Sequence, residues 1–413
     1  MSWLIPRADL TPDQRRAVTL PETEHQVIVG PPGSGKTQVL VHRADELRHR
    51  LRIELDQFRI FLFTNVLRDY IRAGLEDLRL PEANVSTVDA WCLETYRNFI
   101  SPTVPWNPQE HAPDFRTIRE SVLHLFASGH PGVRRLRFAL VDEGQDLAPV
   151  HFQILRRACE HLTVFVDPLQ QIYDEGTNEH KILELLGISR RNATLLGAYR
   201  NSPTVARLAA YFVADTNQRE RYLHQLRTAN VPHERPVLFV ARSHEEEMDR
   251  LAAILVERQR MQERVGVLVA RNRWVYGYAA ALRERGVEVE IVAAPGAGQV
   301  EYSFGTPTPK ILTYYSAKGL TFDSVALPRL VDQSFGALGV DRRRKLLFVG
   351  MTRASRWVYL SKRTDHALAE MATFRSAAAE GHLAILEGGA ESWRNSLATP
   401  GAQRPGHDLL QDL

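Results

Sequence analysis

The sequence predicts an α/β protein built on parallel sheets, and three observations carry that expectation. Apolar runs of strand length recur along the chain with helical signals between them. One such run ends in a Gly-rich loop that opens a helix, and another ends in two carboxylates. The 413 residues suffice for two or three domains, and a hydrophobic share of 44% suffices to fill their cores.

Taken in order, the first strand-like runs are 27–29, 60–63, 138–141 and 163–166. A second set comprises 237–240, 265–269, 287–292, 311–315, 325–327 and 357–360. The helix after Ser243 opens with a capping box, Ser243 and Glu246, and carries Met248, Leu251 and Leu255 on one face. The two sets divide near 199–203. The expected organisation is therefore a first domain over 1–200, a second over 201–392 and a flexible tail over 393–413. The Pro-rich stretch 101–113 reads as a loop, within an insertion spanning about 96–136. No repeat of fixed period and no low-complexity block interrupts this pattern.

Composition narrows the class. A net charge of +3 is too mild to argue for nucleic acid by itself. Cys92 and Cys159 are the only cysteines, which fits a reducing cytoplasm and excludes a disulfide framework. No apolar run reaches membrane-spanning length, and the first residues lack a signal-peptide core, so no membrane association is expected. The chain has only six lysines against 46 arginines. Lysines retained beside glycines, Lys36 and Lys318, are then expected where a compact point charge is required.

Residues Gly30, Pro31, Pro32, Gly33, Ser34, Gly35, Lys36 and Thr37 follow the apolar run 27–29. A buried strand followed by G-x-x-x-x-G-K-T is a phosphate-cradling loop, whose backbone N–H groups turn inward onto phosphate oxygens. Lys36 would reach the β/γ-phosphates, Thr37 would ligate Mg²⁺, and the following helix would point its positive end at the anion. A nucleoside triphosphate ligand is the expectation. The apolar run 138–141 leads into Asp142, Glu143, Gln145 and Asp146. A parallel sheet would present these carboxylates to the loop, with Asp142 on Mg²⁺ through water and Glu143 as general base. A third strand ends in Asp167, and Gln170 beyond it is placed to sense a γ-phosphate.

With these residues in view, the chain resembles superfamily 1 DNA helicases of the UvrD/Rep type, in a minimal form with reduced accessory domains. Eight motifs run in that family's order from Gln14 to Arg353. The resemblance implies two tandem RecA-like domains of the P-loop NTPase kind, with the ATP site in the cleft between them. It makes Gln14 the adenine reader, Tyr199 the ring stacked on adenine, Arg200 a γ-phosphate contact and Arg353 the arginine finger. Thr64, Asn65, Thr87, Trp91, Tyr315 and Lys318 fall in segments similar to the family's strand-gripping motifs. The hydroxyls and amide would bond phosphates, and the indole would stack a base.

Several positions depart from the family's pattern. Asp89 and Tyr315 stand where it usually has histidine, and Thr321 stands where it has glutamate, with Asp323 as a substitute for ribose contact. Asp174, Glu175 and Gly176 replace a segment that carries a base-stacking aromatic. The grip on the strand should therefore differ, while ATP chemistry is untouched. The expected activity is a cytoplasmic, DNA-stimulated ATPase that translocates on single strands, 3′ to 5′ by resemblance, with ATP and Mg²⁺ as cofactors. An RNA-directed enzyme, an ATP-gated binding or signalling subunit, and the motor of a nuclease complex are the alternatives. The sequence Gln171-Ile172-Tyr173, in place of the Leu-Pro-Pro typical of RNA-directed relatives, favours DNA.

Overall fold

Two parallel sheets organise the molecule, and each is assembled from strands distant in sequence. The structure is a computed structural model and describes residues 4–173, 175–195, 197, 201–226, 234–292, 304 and 306–389. The strands are β1 (Gln26–Val29), β2 (Phe58–Phe61), β3 (Val85–Ser86), β4 (Trp106–Asn107), β5 (Ala112–Pro113), β6 (Leu136–Val141), β7 (Cys159–Val166) and β8 (Ala193–Thr194). After these come β9 (Val237–Ala241), β10 (Val265–Val269), β11 (Glu290–Ile291), β12 (Lys310–Thr313), β13 (Phe322–Leu327), β14 (Ala354–Arg363) and β15 (Ala384–Glu387). The first sheet has the order β3-β2-β6-β7-β1-β8, and the second the order β11-β12-β10-β13-β14-β9-β15.

Helices cover both faces of each sheet, which explains why the central strands read as continuous apolar runs. On β1 the side chains alternate between two cores. Val27 and Val29 pack with Phe152, Ile154 and Val164, whereas Ile28 packs with Val39 and Leu40 of the helix Lys36–Leu51. The second of these cores continues without a break into the other sheet, where it takes in Leu268, Leu312, Tyr314 and Leu347. One close approach at the junction depends on glycine. A Cβ on Gly319, at φ +81°, would stand 2.7 Å from Leu67 of the helix Asn65–Asp77.

Strand positions agree with expectation in the interior of each sheet and differ at its edges. The run 60–63 is displaced to β2 because the chain leaves the sheet to form the N-cap at Thr64. Of 287–292 only β11 pairs, and β3, β8 and β15 are edge strands too short to show a period in sequence. The stretch 101–113, expected to be a loop, holds an antiparallel hairpin of β4 and β5. With the helix Phe115–Ala127 it forms the described part of the insertion. The described residues of the interval 202–313 are largely taken up by helices and strands of the second sheet, and from Asn201 the chain is pinned to that sheet. Asn201 Nδ2 donates to Thr352 O at 2.9 Å, and Ser202 N donates to Ser355 O at 2.7 Å. The cap at Ser243 forms, with Met248, Leu251 and Leu255 buried, but Glu246 accepts from Arg242 N rather than completing the box. The tail 393–413 lies outside the described residues.

Arg43 braces the helix that follows the Gly-rich loop. Fully buried, its guanidinium donates to Val18 O (3.0 Å), Leu20 O (2.9 Å), Thr163 Oγ1 (2.8 Å) and His161 Nε2 (3.1 Å). It thereby satisfies carbonyls at the end of the helix Pro12–Val18 and ties them to β7. Burial first, and the Arg43 charge second, push His161 down to about 3, so this ring stays neutral in the folded protein. The unfolded chain takes up the proton below the usual 6.5, and stability falls as pH drops from 6.5 towards 3. Between pH 7 and 5 His161 should remove about 2 kcal/mol, and a His161→Gln variant should flatten that part of the profile measured by urea unfolding.

Candidate active site

The Gly-rich loop, the acidic segment after β6 and the segment after β7 meet at one edge of the first sheet, because β1, β7 and β6 are consecutive neighbours. Lys36, at the start of its helix, is buried and donates to Gly30 O (2.9 Å), Pro31 O (3.2 Å) and Asp167 Oδ2 (2.9 Å). The Thr37 hydroxyl donates to Asp142 Oδ2 at 3.0 Å. Gln14 supports the loop from below: its Nε2 donates to Ser34 O at 2.9 Å while its Oε1 accepts from Thr11 N at 2.9 Å. Gly35 allows this approach, since a Cβ there would come within 2.5 Å of the Gln14 amide. One amide hydrogen and one lone pair of Gln14 remain for a ligand.

The acidic segment is strained and crowded. Glu143 takes φ 52° and ψ 43°, a left-handed conformation that a residue with a Cβ adopts at a cost. Its carboxylate accepts from Gln145 Nε2 at 2.5 Å, and Gln145 Oε1 in turn accepts from Asp167 N at 2.9 Å. Burial raises Asp142 to about 6, helped by the charge of Glu143 beside it. Glu143 is held below the usual carboxylate range: burial opposes its charge, but Lys318, Lys36 and Arg353 together outweigh it.

Two cations from the second sheet complete the arrangement. Arg353 is fully buried and donates from Nη2 to Gln170 Oε1 at 2.6 Å and from Nε to Val349 O at 3.1 Å. Gln170 Nε2 donates to Asp167 Oδ2 at 2.7 Å. Lys318 forms an ion pair with Asp146 and donates to Gln170 O at 2.6 Å. Burial nonetheless pushes Asp146 up to about 7. The expected strand contact at Lys318 is thus corrected: its side chain is buried and spans the two sheets. Tyr199 and Arg200 lie outside the described residues. Tyr222 sits near Asp167 and Arg353, its phenol buried; no motif in the sequence marks it.

The remaining strand-gripping candidates divide. Trp91 is core, stacked on Phe126 (centroids 5.7 Å) and edge-on to Phe61 (5.5 Å), because its position on the helix Val88–Phe99 faces the insertion helix. Its proposed role as a stacking platform is corrected accordingly. Thr64 and Thr87 cap their helices, accepting from Leu67 N and Ala90 N at 3.1 Å, and each hydroxyl keeps its hydrogen to donate. The side chain of Asn65 lies outside the described residues. Tyr315 lies 5.4 Å from Tyr173, which lies 4.7 Å from Phe63, so three half-buried rings run along the junction. Phe63 and Tyr173 border a cavity of about 440 Å³ that Thr87, Asp89, Arg119 and Arg342 also line. Asp89 receives both Nε and Nη2 of Arg119 at 2.7 Å and His151 Nε2 at 3.0 Å. Against burial, these two partners hold Asp89 down at about 2. Asp323 binds Arg264 N (2.9 Å) and Nε (3.3 Å), so its carboxylate is already spoken for.

A phosphate loop facing an acidic box, with an arginine delivered from a second parallel sheet, defines a P-loop NTPase of the helicase class. The sequence matches the UvrD/REP helicase N-terminal domain over residues 10–129 and the UvrD-like helicase C-terminal domain over residues 310–361. The matched domains are those of UvrD/Rep-type superfamily 1 helicases, and they indicate an ATP-hydrolysing, nucleic-acid-binding helicase. Among solved structures, Dbp5 of S. cerevisiae bound to RNA and ADP BeF3 is similar in fold, with TM-score 0.50, 12% identity and 96% of each chain covered. That likeness is to two tandem RecA-like domains. The C-terminal domain of a possible DNA helicase from Lactobacillus plantarum WCFS1 covers 46% of this chain and 99% of its own, at TM-score 0.34 and 15% identity. No curated protein matches the chain.

The Lys318–Asp146 pair is testable by a double-mutant cycle. Removing Lys318 alone as Lys318→Met should destabilise the protein by about 3–5 kcal/mol, because it strands a buried carboxylate. Adding Asp146→Leu should recover most of that loss in chemical denaturation.

Proposed function

We propose that the chain is a single-stranded-DNA-stimulated ATPase that translocates 3′ to 5′, with ATP and Mg²⁺ held in the cleft between the sheets. The observation that carries this reading is a continuous hydrogen-bonded path. It runs from Lys36 through Asp167 and Gln170 to Arg353, from the phosphate loop to the second sheet. Hydrolysis at one end of such a path changes contacts at the other, and this links chemistry to closing and opening of the cleft.

In this reading the backbone of 30–35 and Lys36 bind the phosphates, while Gln14 and Tyr199 select adenine. Glu143 orients and deprotonates the attacking water, and its lowered pKa keeps it ionised for that task. Gln170 and Arg200 sense the γ-phosphate, and Arg353 neutralises charge that develops as the bond breaks. Thr37 and Asp142 would hold Mg²⁺. Their oxygens are 3.0 Å apart and oxygen is the donor it prefers. The crowding of Asp142 against Glu143 is also what a cation relieves. When bound, the ion supplies neutralisation of phosphate charge.

DNA is favoured over RNA by Gln171-Ile172-Tyr173, as the resemblance implies. The strand is expected along the cavity at Thr87 and the rings of Phe63, Tyr173 and Tyr315. The described part of the insertion amounts to a hairpin and one helix, so separation of a duplex would need contacts from a protein partner, such as a nuclease.

The test is ATPase rate against single-stranded DNA, duplex DNA and RNA at fixed salt, because binding here will depend on salt. The largest stimulation should come from single-stranded DNA, and stimulation by RNA alone would overturn the choice of DNA. Glu143→Gln should retain ATP binding and lose roughly two or more decades of turnover, whereas Lys36→Ala should lose both. A Glu143→Gln enzyme with near-normal kcat would remove Glu143 from the role of base.

A further inference from the structure

Asp167 makes no contact with the nucleotide or the attacking water in that reading, yet it occupies the centre of the site. Its Oδ2 accepts from Lys36 Nζ at 2.9 Å and from Gln170 Nε2 at 2.7 Å, and the residue is fully buried. These two donors are the groups from the first sheet assigned above to the terminal phosphates. The third, Arg353, comes from the second sheet and is held by the other end of the same Gln170 amide, at 2.6 Å. An ammonium has three hydrogens to donate, and Lys36 spends them on Gly30 O, Pro31 O and Asp167 Oδ2. For Lys36 to bond a phosphate, one of those partners must let go. Asp167 is the one that an incoming anion repels.

We propose that Asp167 is a resident stand-in for the terminal phosphate of ATP, holding Lys36, Gln170 and, through Gln170, Arg353 until the nucleotide displaces it. The proposal rests on the reading of this cleft as the ATP site. It makes Asp167 a positioning residue with two effects. The empty site keeps its donors gathered instead of collapsing them onto unrelated groups. Arrival of the γ-phosphate shifts the Gln170 amide, and the shift passes directly to Arg353 and, through Gln170 O, to Lys318. A diphosphate lacks the group that competes with Asp167, so the two nucleotides are told apart by an exchange of one anion for another.

The experiment is equilibrium binding of ADP and of a non-hydrolysable ATP analogue to the full chain, as wild type and as Asp167→Asn. The variant should bind the analogue about tenfold more tightly, the cost of displacing a carboxylate being gone, and ADP within about twofold of wild type. In steady state its KM for ATP should fall without a rise in kcat, a split that a merely structural role would not produce. Asp167→Ser keeps an oxygen for the Leu169 N–H that Asp167 caps, and it serves as the second variant should the first fold poorly. Weaker analogue binding, or equal changes for both nucleotides, overturns the proposal while leaving the ATP site in place. A wild type that binds neither nucleotide overturns both.

Discussion

The joint between the two sheets depends on the ion pair of Asp146 and Lys318, buried on both sides. Withdrawing two charges from water is expensive, and the attraction between them returns little net stability. What such a pair gives is position, since few geometries satisfy it. Lys318 also bonds Gln170 O, so the same cation that fixes the joint fixes the residue linking Asp167 to Arg353. Around this polar centre, one apolar core passes from the first sheet into the second and supplies adhesion. The core is non-directional, whereas the polar contacts are specific and exchangeable. A joint of that composition holds its parts together while leaving its register open to a charged ligand.

The nucleotide loop was legible in the sequence because its chemistry is local. A strand, glycines, a lysine and a threonine within a dozen residues need no distant partner to be understood. Sheet interiors were legible for a related reason: strands covered on both faces leave unbroken apolar runs. Edge strands of two to four residues leave no period, and the hairpin of β4 and β5 reads as loop on that account. The less legible side chains were those whose meaning lies in what faces them. Lys318 reads as a strand contact until Asp146 is seen opposite, and Trp91 reads as a stacking platform until Phe126 covers it. Asp167 was visible as part of a motif, but nothing in its neighbours along the chain reveals that Lys36 and Gln170 share its oxygen.

The departure from family pattern at Asp89 acquires a physical reason. A carboxylate there receives a two-pronged Arg119 from the insertion helix, and a ring hydrogen from His151. His151 Nδ1 accepts from Ala148 N, so the neutral ring donates through Nε2. A histidine at 89 would face Arg119 without compensating charge. The small insertion is thereby bolted to the wall of the cavity beside Thr87, and the substitution and the insertion make sense only together.

Glu143 occupies a backbone conformation that glycine or asparagine would hold more comfortably. Its carboxylate is buried beside that of Asp142, but Lys318, Lys36 and Arg353 together compensate that burial. The backbone, not the charge, is what suits this position badly to its own residue. Selection for stability alone would drift away from glutamate here, towards a sturdier protein without the proposed base. A chain of this family that has lost its motor function should accordingly show the loss at this position early. The change would be accompanied by a gain in melting temperature, not a fall.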